Sequence, residues 1–498
     1  MPNVLIRKVD NVHIQIVADA GIRMGMSEHF ARYAKGYMFN PKYKAKVWDG
    51  KIRFFQYLNG YIYAGLIQEV IDYCKNEGLS LKIDPEVKGL FQFNSNIDSF
   101  IDHLKLSAHG NAIEFRDFQR KAIINAVSRK RILIQSPTSS GKSSIIYGIV
   151  KYLSDEEFEE NERLLIVVPT INLVTQLKSD FKDYSSINGW NVDDCVSLST
   201  DKQGTRNKKI LITTWQSIYK QPKEWFDSFR ALIVDEVHQA TAASLVGIGK
   251  KCNAEFRIGL SGSINDEDET SEMTLKGLFG FKHTTTTTKK LMDEGIVAKL
   301  KVNCIHLKYD EKVPLPKDYQ KEMAWIVKQE ERNNLLIELA NNMNGNVLIL
   351  FSLVEKHGKI LREIAKKYDK ECFFVYGGTD TDQRENIRKI AEKHEGCIIL
   401  ASYQTFSTGV NIRNIRHIIF ASPTKSFSRV IQSIGRGLRT SETKTHCDVY
   451  DLFDEIYGDP KDQNTYNYTF KHFLERVKIY IKEGFEYSVD RVNLGVTK

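Results

Sequence analysis

Apolar and polar residues alternate through the first twenty positions: Val4 and Ile6, then Val12, Ile14 and Ile16. That period of two predicts strands. Asp49-Gly50 and Asn59-Gly60 are hairpin-turn dipeptides, and residues 66–77 carry a helix pattern. A small α+β module over residues 1–90 is expected. From residue 131 the pattern changes to short apolar runs at 131–134, 164–168, 210–212, 231–234 and 256–260, separated by helix-length stretches. This rhythm predicts a parallel sheet with helices on both faces. It returns in Val347–Phe351, Phe373–Val375, Ile398–Ala401, Ile418–Ala421 and Val449–Leu452. The chain thus divides into the module, an α/β lobe over 91–300, a second over 301–455 and a helical extension over 456–498. Residues 95–130 are expected to be helical, and 296–344 to bridge the lobes. The run Thr284–Thr288 reads as a β-prone surface connection. In the extension, Phe470, Phe473, Leu474, Val477 and Ile481 form one stripe, suited to docking on the second lobe, with Lys471, Arg476, Lys478 and Lys482 opposite.

Several first-lobe runs end in polar motifs, the place where open α/β sheets bind ligands. Ile132–Ile134 leads through Ser136, Thr138, Ser139 and Ser140 to Gly141-Lys142-Ser143, then to an apolar helix pattern. This is the layout of a phosphate-binding loop, where backbone N–H groups and a helix N-terminus converge on a nucleotide. Gly141 lets the backbone come close, Lys142 supplies a charge for the β- and γ-phosphates, and the Ser143 hydroxyl would ligate Mg²⁺. Ser136 stands where the general pattern has its first glycine. Further on, Ala231–Val234 empties into Asp235-Glu236-Val237-His238. Asp235 is the candidate for the metal, Glu236 for polarising the attacking water, and His238 for linking the nucleotide site to other motifs.

Charge changes the picture at one end. The chain has 71 Lys+Arg against 63 Asp+Glu, yet residues 1–60 alone hold ten basic and four acidic residues. Basic and aromatic residues interleave over 37–65, and Lys44, Lys46, Trp48 and Arg53 are candidate contacts to a nucleic acid. Alternate aromatics there must instead form the module's core. The seven cysteines are scattered without a Cys-x-x-Cys pair, so neither a disulfide framework nor a zinc site is indicated. No signal-peptide pattern or long apolar run is present, so a soluble, cytoplasmic protein with no membrane association is expected.

Taken in order, the motifs resemble those of the superfamily 2 helicases and translocases of the DExH group. The resemblance covers roughly residues 110–455. It implies two RecA-like parallel-sheet lobes, ATP and Mg²⁺ as cofactors, and these roles. Arg116 and Gln119 fit the segment that reads adenine. Pro169-Thr170, with Leu173 and Gln176, resemble the motif gripping one strand's phosphates, and Thr213-Thr214 the next strand-contacting motif. Ser261-Gly262-Ser263 resemble the motif coupling hydrolysis to movement. Thr408-Gly409-Val410-Asn411 fit a second-lobe motif, although Asn411 replaces a common Asp. Gln432-Ser433-Ile434-Gly435-Arg436-Gly437-Leu438-Arg439 match the Gln-x-x-Gly-Arg-x-x-Arg signature. Arg436 and Arg439, three apart, would share a helix face and serve the γ-phosphate from the second lobe. The basic front module and helical tail resemble phage recombination and repair helicases. That implies remodelling of branched DNA: fork regression, Holliday-junction migration, and D-loop and R-loop dissociation in recombination, repair and replication. Implied partners are single-stranded, duplex and branched DNA, RNA in RNA–DNA hybrids, and single-strand-binding or recombination proteins. A double-strand translocase subunit of a larger complex, or a strand-annealing protein with a regulatory ATPase, stays open as an alternative.

Overall fold

A computed structural model describes residues 2–190, 194–197, 208–238, 242–264, 268–309, 318–405, 412, 414–424, 426–439, 444–456 and 466–495. The chain forms two compact units, residues 1–136 with 141–285 and residues 137–140 with 286–498.

The first unit opens with β1 (Val4–Lys8), β2 (His13–Ala18), a ribbon of β3 (Ala31–Tyr33) and β4 (Lys51–Arg53), then β5 (Tyr61–Tyr63) and β6 (Leu81–Ile83). β5, β2, β1 and β6 make one sheet in that order. The alternation turns Val4, Ile6, Ile14 and Ile16 inward, where all are buried. Phe54, Phe55 and Tyr63 are core as well. This module does not core alone: Val4, Ile6, Ile14 and Val70 belong to the same apolar cluster as Leu133, Leu165 and Leu232 of the sheet that follows. Polar staples add to it. The Asn11 N–H donates to Asn253 Oδ1 (2.8 Å), Asn11 Nδ2 to the Asn253 carbonyl (2.9 Å), and Lys130 Nζ to the Gly89 carbonyl (2.9 Å). Gly65 lies so close to the helix Glu269–Phe279 that an added Cβ would collide with the carbonyls of Lys276 and Gly277.

Residues 95–130 are not one helical stretch. The helix Ile97–His103 is followed by a hairpin of β7 (Leu106–Ala108) and β8 (Asn111–Ile113), then by the helix Asp117–Arg129. The intervening His109 and Gly110 both take positive φ, 53° and 79°, which closes the hairpin and breaks the helix.

All five predicted runs of the first lobe are strands. β9 (Arg131–Gln135), β10 (Arg163–Val168), β11 (Cys195–Ser197), β12 (Ile210–Thr214), β13 (Phe229–Val234), β14 (Phe256–Ser261) and β15 (Phe281–Thr284) pair in the order β11-β12-β10-β13-β14-β9-β15. Every pair is parallel. The threonine run leaves β15 at Thr284, and Thr287 caps a helix that begins at Thr288. The registers align the carboxyl ends: Val168 faces Thr214, Val167 faces Val234, and Ser261 faces Gln135. The polar motifs therefore leave the sheet along one edge.

The second unit is also a seven-stranded parallel sheet, in the order β18-β19-β17-β20-β21-β16-β22. Its strands are β16 (Lys299–Tyr309), β17 (Asn346–Phe351), β18 (Cys372–Val375), β19 (Ile398–Ser402), β20 (Ile415–Phe420), β21 (His446–Glu455) and β22 (Glu486–Leu494). β16 lies in the stretch expected only to bridge the lobes, and β22 in the tail expected only to be helical. The tail helix Tyr468–Glu483 packs on this sheet, with Phe473 stacked on Phe453 at 3.6 Å between ring centres. Its buried face matches the expected one only in part, with Phe473 buried and Phe470 also against Phe453. Thr469, Phe473, Arg476 and Tyr480 point inward, whereas Ile481 is exposed. Arg476 leaves the solvent because its guanidinium forks onto both Asp451 oxygens (2.8 Å each), and Tyr480 Oη donates to the same carboxylate (2.7 Å). A bidentate partner is what makes a buried cation tolerable. No described helix is long and apolar enough to cross a membrane.

Candidate active site

β9 delivers the chain to Ser136, whose N–H donates to the Ser261 carbonyl at the end of β14 (2.9 Å). Gly141 then turns the chain with φ +83° into the helix Lys142–Tyr152. A side chain there would be strained by the backbone and would strike Gln119 Nε2. The same Gln119 accepts from the Arg116 N–H through Oε1 (2.9 Å), and Arg116 caps the helix Asp117–Arg129. Gln119, bonded to Arg116, thus lies beside the loop glycine. Ser139 is also left-handed at φ 65°. Thr138 is half-buried, and the buried Ser140 hydroxyl donates to the Pro137 carbonyl (2.6 Å). Lys142 Nζ lies 3.4 Å from the Ser136 carbonyl and 3.6 Å from Glu236 Oε1. Ser143 Oγ lies 2.8 Å from Tyr184 Oη, a partner with no sequence signal.

The acidic motif leaves β13 beside this loop. The Asp235 N–H donates to the Val167 carbonyl (2.9 Å), and Glu236 takes φ 50°, unusual for a residue with a Cβ. That turn aims Glu236 at Lys142 and, at 3.3 Å, at His238 Nδ1. His238 Nδ1 is 2.7 Å from Ser261 Oγ, which also accepts from the Ser263 N–H (3.2 Å). Burial, then the neighbouring Glu236 charge, pushes Asp235 up to about 7. Burial works against the Glu236 charge too, but Lys142 and His238 outweigh it and hold Glu236 below its usual range. Burial pulls His238 down. Burial thus raises Asp235, while Lys142 and His238 lower Glu236.

Two further motifs share the sheet edge. Thr170 caps the helix Ile171–Tyr184, accepting from the Leu173 N–H (3.4 Å). The Pro169 carbonyl accepts from Gln216 Nε2 (3.3 Å), and Thr214 Oγ1 meets Ser217 Oγ (2.9 Å). Gln176 is exposed on its helix.

In the N-terminal module, Lys44 and Lys46 are exposed. Trp48 and Arg53 hold the surface together. Trp48 Nε1 donates to the Lys51 carbonyl (2.9 Å), and Arg53 Nη2 reaches Glu28 and Asp49 (2.7 Å each). Sequence reasoning passed over Phe39 and Val47, 79% and 78% exposed, beside the lysines.

In the second unit, Gln432 lies in the helix Phe427–Gly437. That helix stops before Arg439. Leu438 closes it, so the expectation that Arg436 and Arg439 share a helical face is corrected: glycines at 435 and 437 weaken the last turn. The side chain of Arg436, and Gly409 and Asn411 altogether, lie outside the described residues.

A loop lysine held near a strand-end glutamate, with a histidine passing from that strand to the next, is an arrangement of ATP-hydrolysing helicases of superfamily 2. Three family models match. One described as the res subunit of type III restriction enzymes covers residues 112–266, one for the N-terminal region of the DNA helicase UvsW covers 3–84, and one for the helicase conserved C-terminal domain covers 331–441. The chain is 34% identical to the ATP-dependent DNA helicase uvsW of Enterobacteria phage T4, over 97% of this chain and 98% of that one. It belongs to the UvsW family of helicases. It is 25% identical to a DNA 3'-5' translocase, XPB2, of Sulfurisphaera tokodaii, over 69% of this chain and 83% of that protein. The crystal structure of T4 UvsW matches with a TM-score of 0.52 and 31% identity, over 99% of both chains. A type I restriction HsdR fragment from Vibrio vulnificus matches at TM-score 0.56 and 17% identity over 87% of this chain and 85% of that one, a likeness of fold alone.

Proposed function

We propose that this chain is an ATP-dependent DNA helicase that remodels branched DNA by fork regression, Holliday-junction migration and dissociation of D-loops and R-loops. The observation that carries the reading is the contact chain from Lys142 through Glu236 and His238 to Ser261. It runs along the same sheet edge at which Thr170 and Thr214 are presented. Whole-length similarity to the phage T4 helicase supports DNA as the substrate. RNA in RNA–DNA hybrids, and single-strand-binding or recombination proteins, belong to the same proposal as partners.

The residues divide the work as follows. The loop 138–143 cradles the phosphates, with Lys142 as the mobile charge. Arg116 and Gln119 hold the adenine side. Glu236, kept ionised by Lys142, orients and accepts a proton from the attacking water. His238 passes the state of the site to Ser261. Arg436 and Arg439 supply charge to the transferring phosphoryl group, and Gly409, Asn411 and Gln432 complete the nucleotide contacts. Pro169, Thr170, Gln176 and Thr214 bear on one strand's phosphates. Residues 1–90 add a DNA surface through Lys44 and Lys46, while 456–498 complete the second lobe.

The donor set suits Mg²⁺. Asp235 and Ser143 offer hard oxygen donors at the loop, and Glu236 Oε2 makes no hydrogen bond beyond its 3.3 Å approach to His238 Nδ1. Among the described residues no cluster of three metal-ligating side chains occurs, which fits an ion held mainly by phosphates with one or two protein oxygens. Ser143 and Asp235 would hold it, and the ion would screen the phosphate charge.

Hydrolysis measured with single-stranded, duplex, forked and four-way DNA and with an RNA–DNA hybrid tests the reading. Branched DNA should stimulate most, and Lys142→Ala should abolish turnover while DNA binding persists. Hydrolysis indifferent to DNA would refute it. The match of residues 112–266 to a restriction-enzyme subunit favours, as second reading, a double-strand translocase within a larger complex. Purified protein that hydrolyses ATP on duplex DNA but remodels no fork or junction would favour that alternative. Annealing that persists in Lys142→Ala, without unwinding by the native chain, would point to a strand-annealing protein.

A further inference from the structure

Ser143 and Tyr184 are 41 residues apart, yet their hydroxyl oxygens lie 2.8 Å apart. Ser143 is the second residue of the loop helix Lys142–Tyr152, and Tyr184 the last of the helix Ile171–Tyr184. The phenol ring is held from the side. It packs edge-on against Tyr147, one turn beyond Ser143, with ring centres 5.5 Å apart. Tyr147 is clamped in turn by Trp190 at 5.4 Å and by Asn188, whose Nδ2 donates to the Tyr147 hydroxyl (2.9 Å). Tyr184 Oη is therefore a placed group and not a loose one.

A serine hydroxyl has one hydrogen and two lone pairs. Left to rotate, it can turn the hydrogen toward a cation and so oppose binding. If the hydrogen is given to a fixed acceptor, both lone pairs face elsewhere. We propose that Tyr184 is a positioning residue for Ser143: it accepts the serine O–H and leaves the oxygen lone pairs to the cation that accompanies ATP. The inference rests on Ser143 being a ligand of that cation, as proposed above. Partners of this kind, one bond removed from the metal, set ligand orientation and generally change metal affinity about 10–100-fold when lost.

The placement has a second side. The helix ending at Tyr184 begins at the Thr170 cap and has 14 residues, a rod of about 21 Å at 1.5 Å per residue. One rigid element thus carries the proposed strand contact at one end and the holder of the Ser143 hydroxyl at the other.

The test is a double-mutant cycle on the full chain, read by electron paramagnetic resonance of Mn²⁺ bound in the presence of a non-hydrolysable ATP analogue. Ser143→Ala should weaken Mn²⁺ binding. Tyr184→Phe, which keeps the ring and removes only the oxygen, should weaken it about tenfold. In the Ser143→Ala background, Tyr184→Phe should change nothing further, because the hydroxyl it orients is gone. The Mg²⁺ concentration for half-maximal hydrolysis should rise by the same factor in Tyr184→Phe. Native Mn²⁺ affinity in Tyr184→Phe overturns the proposal while leaving Ser143 as ligand. An undiminished Tyr184 effect on top of Ser143→Ala overturns it too, since the tyrosine would then act through the fold. Native affinity in Ser143→Ala would remove the underlying assignment, and the proposal with it.

Discussion

Ser261 Oγ lies 2.7 Å from His238 Nδ1, joining the strand that carries the acidic motif to the strand that carries Ser-Gly-Ser. The same oxygen accepts from the Ser263 N–H. Ser261→Ala would take this acceptor from the buried Ser263 N–H and remove one partner of His238 Nδ1, which keeps Glu236 at 3.3 Å. A buried polar group left unmet costs about 1–3 kcal/mol. Felt in the transition state, that is roughly a ten- to hundredfold loss of rate. The prediction is that DNA-stimulated hydrolysis in Ser261→Ala falls by about this factor, and farther than basal hydrolysis. Equal loss of both rates would mean that the bond serves the chemistry and not its coupling to DNA.

Gly141 carries two demands at once, φ +83° and contact with Gln119. Gly141→Ala meets neither. Left-handed backbone costs an L-residue about 1–2 kcal/mol, and the methyl group must also displace the glutamine amide. The variant should lose binding of a fluorescent ATP analogue by at least tenfold while its circular dichroism stays native. Adding Gln119→Ala relieves the collision but not the backbone strain and also removes the proposed adenine contact, so it should restore no affinity for the analogue.

How much of this was legible follows from the range of each interaction. The loop at 136–143 and the strand ending in Asp235 are local, and each announces itself within a few residues. The same holds for buried parallel strands, because burial on both faces makes them continuously apolar. β16 carries the same alternation that marks β1 and β2, with Leu300, Val302 and Cys304 buried between Lys299, Lys301 and Asn303, but it lacks the continuous apolar run by which the other lobe strands are read. β22 escaped because it is an edge strand with little to bury, leaving Tyr487 and Val489 in solvent. Arg476 was placed on the wrong face because its partner, Asp451, lies outside the helix, on β21. Ser143 and Tyr184 meet only through the packing of two helices, which no spacing rule encodes.

The Arg476–Asp451 pair makes a stability prediction. Both side chains are fully buried, and Tyr480 shares the carboxylate. Removing one partner of such a pair leaves an uncompensated charge, at about 3–5 kcal/mol. Asp451→Ala should therefore destabilise the second unit by about that amount. Differential scanning calorimetry would show a lowered melting transition, while binding of the N-terminal surface to DNA survives.

Glu255 offers a pH test. Burial raises its pKa, but hydrogen bonds and charge from Lys130 and Arg230 outweigh this and leave it lowered from 4.5. A lowered carboxylate contributes stability that is complete above the ordinary value and is lost as pH falls through the lowered one. Lys130 also holds the Gly89 carbonyl, at the end of the module. Glu255→Gln should thus melt below the native chain at pH 7, and the gap should close as the pH is taken below 4.5.

The N-terminal module poses the choice between a DNA arm and structural support, and the packing says that deleting it cannot separate the two. Val4, Ile6 and Ile14 share an apolar cluster with Leu133 and Leu165, and Arg131 at the head of the loop strand reaches the Asn11 carbonyl. Removing residues 1–90 would uncover that cluster and leave Arg131 buried with fewer acceptors. The truncated chain should lose basal hydrolysis together with DNA affinity, and should bind a dye specific for exposed apolar surface. Surface substitutions separate the roles. Lys44 and Lys46 are exposed, and Lys44→Ala with Lys46→Ala leaves the core untouched. If both lysines meet phosphates, affinity for forked DNA should fall, and the dependence of log K on log salt should flatten by about 0.9 for each lost contact. Basal hydrolysis should hold. An unchanged salt slope would place the DNA surface of this module elsewhere, with Phe39 and Val47 as the next positions to alter.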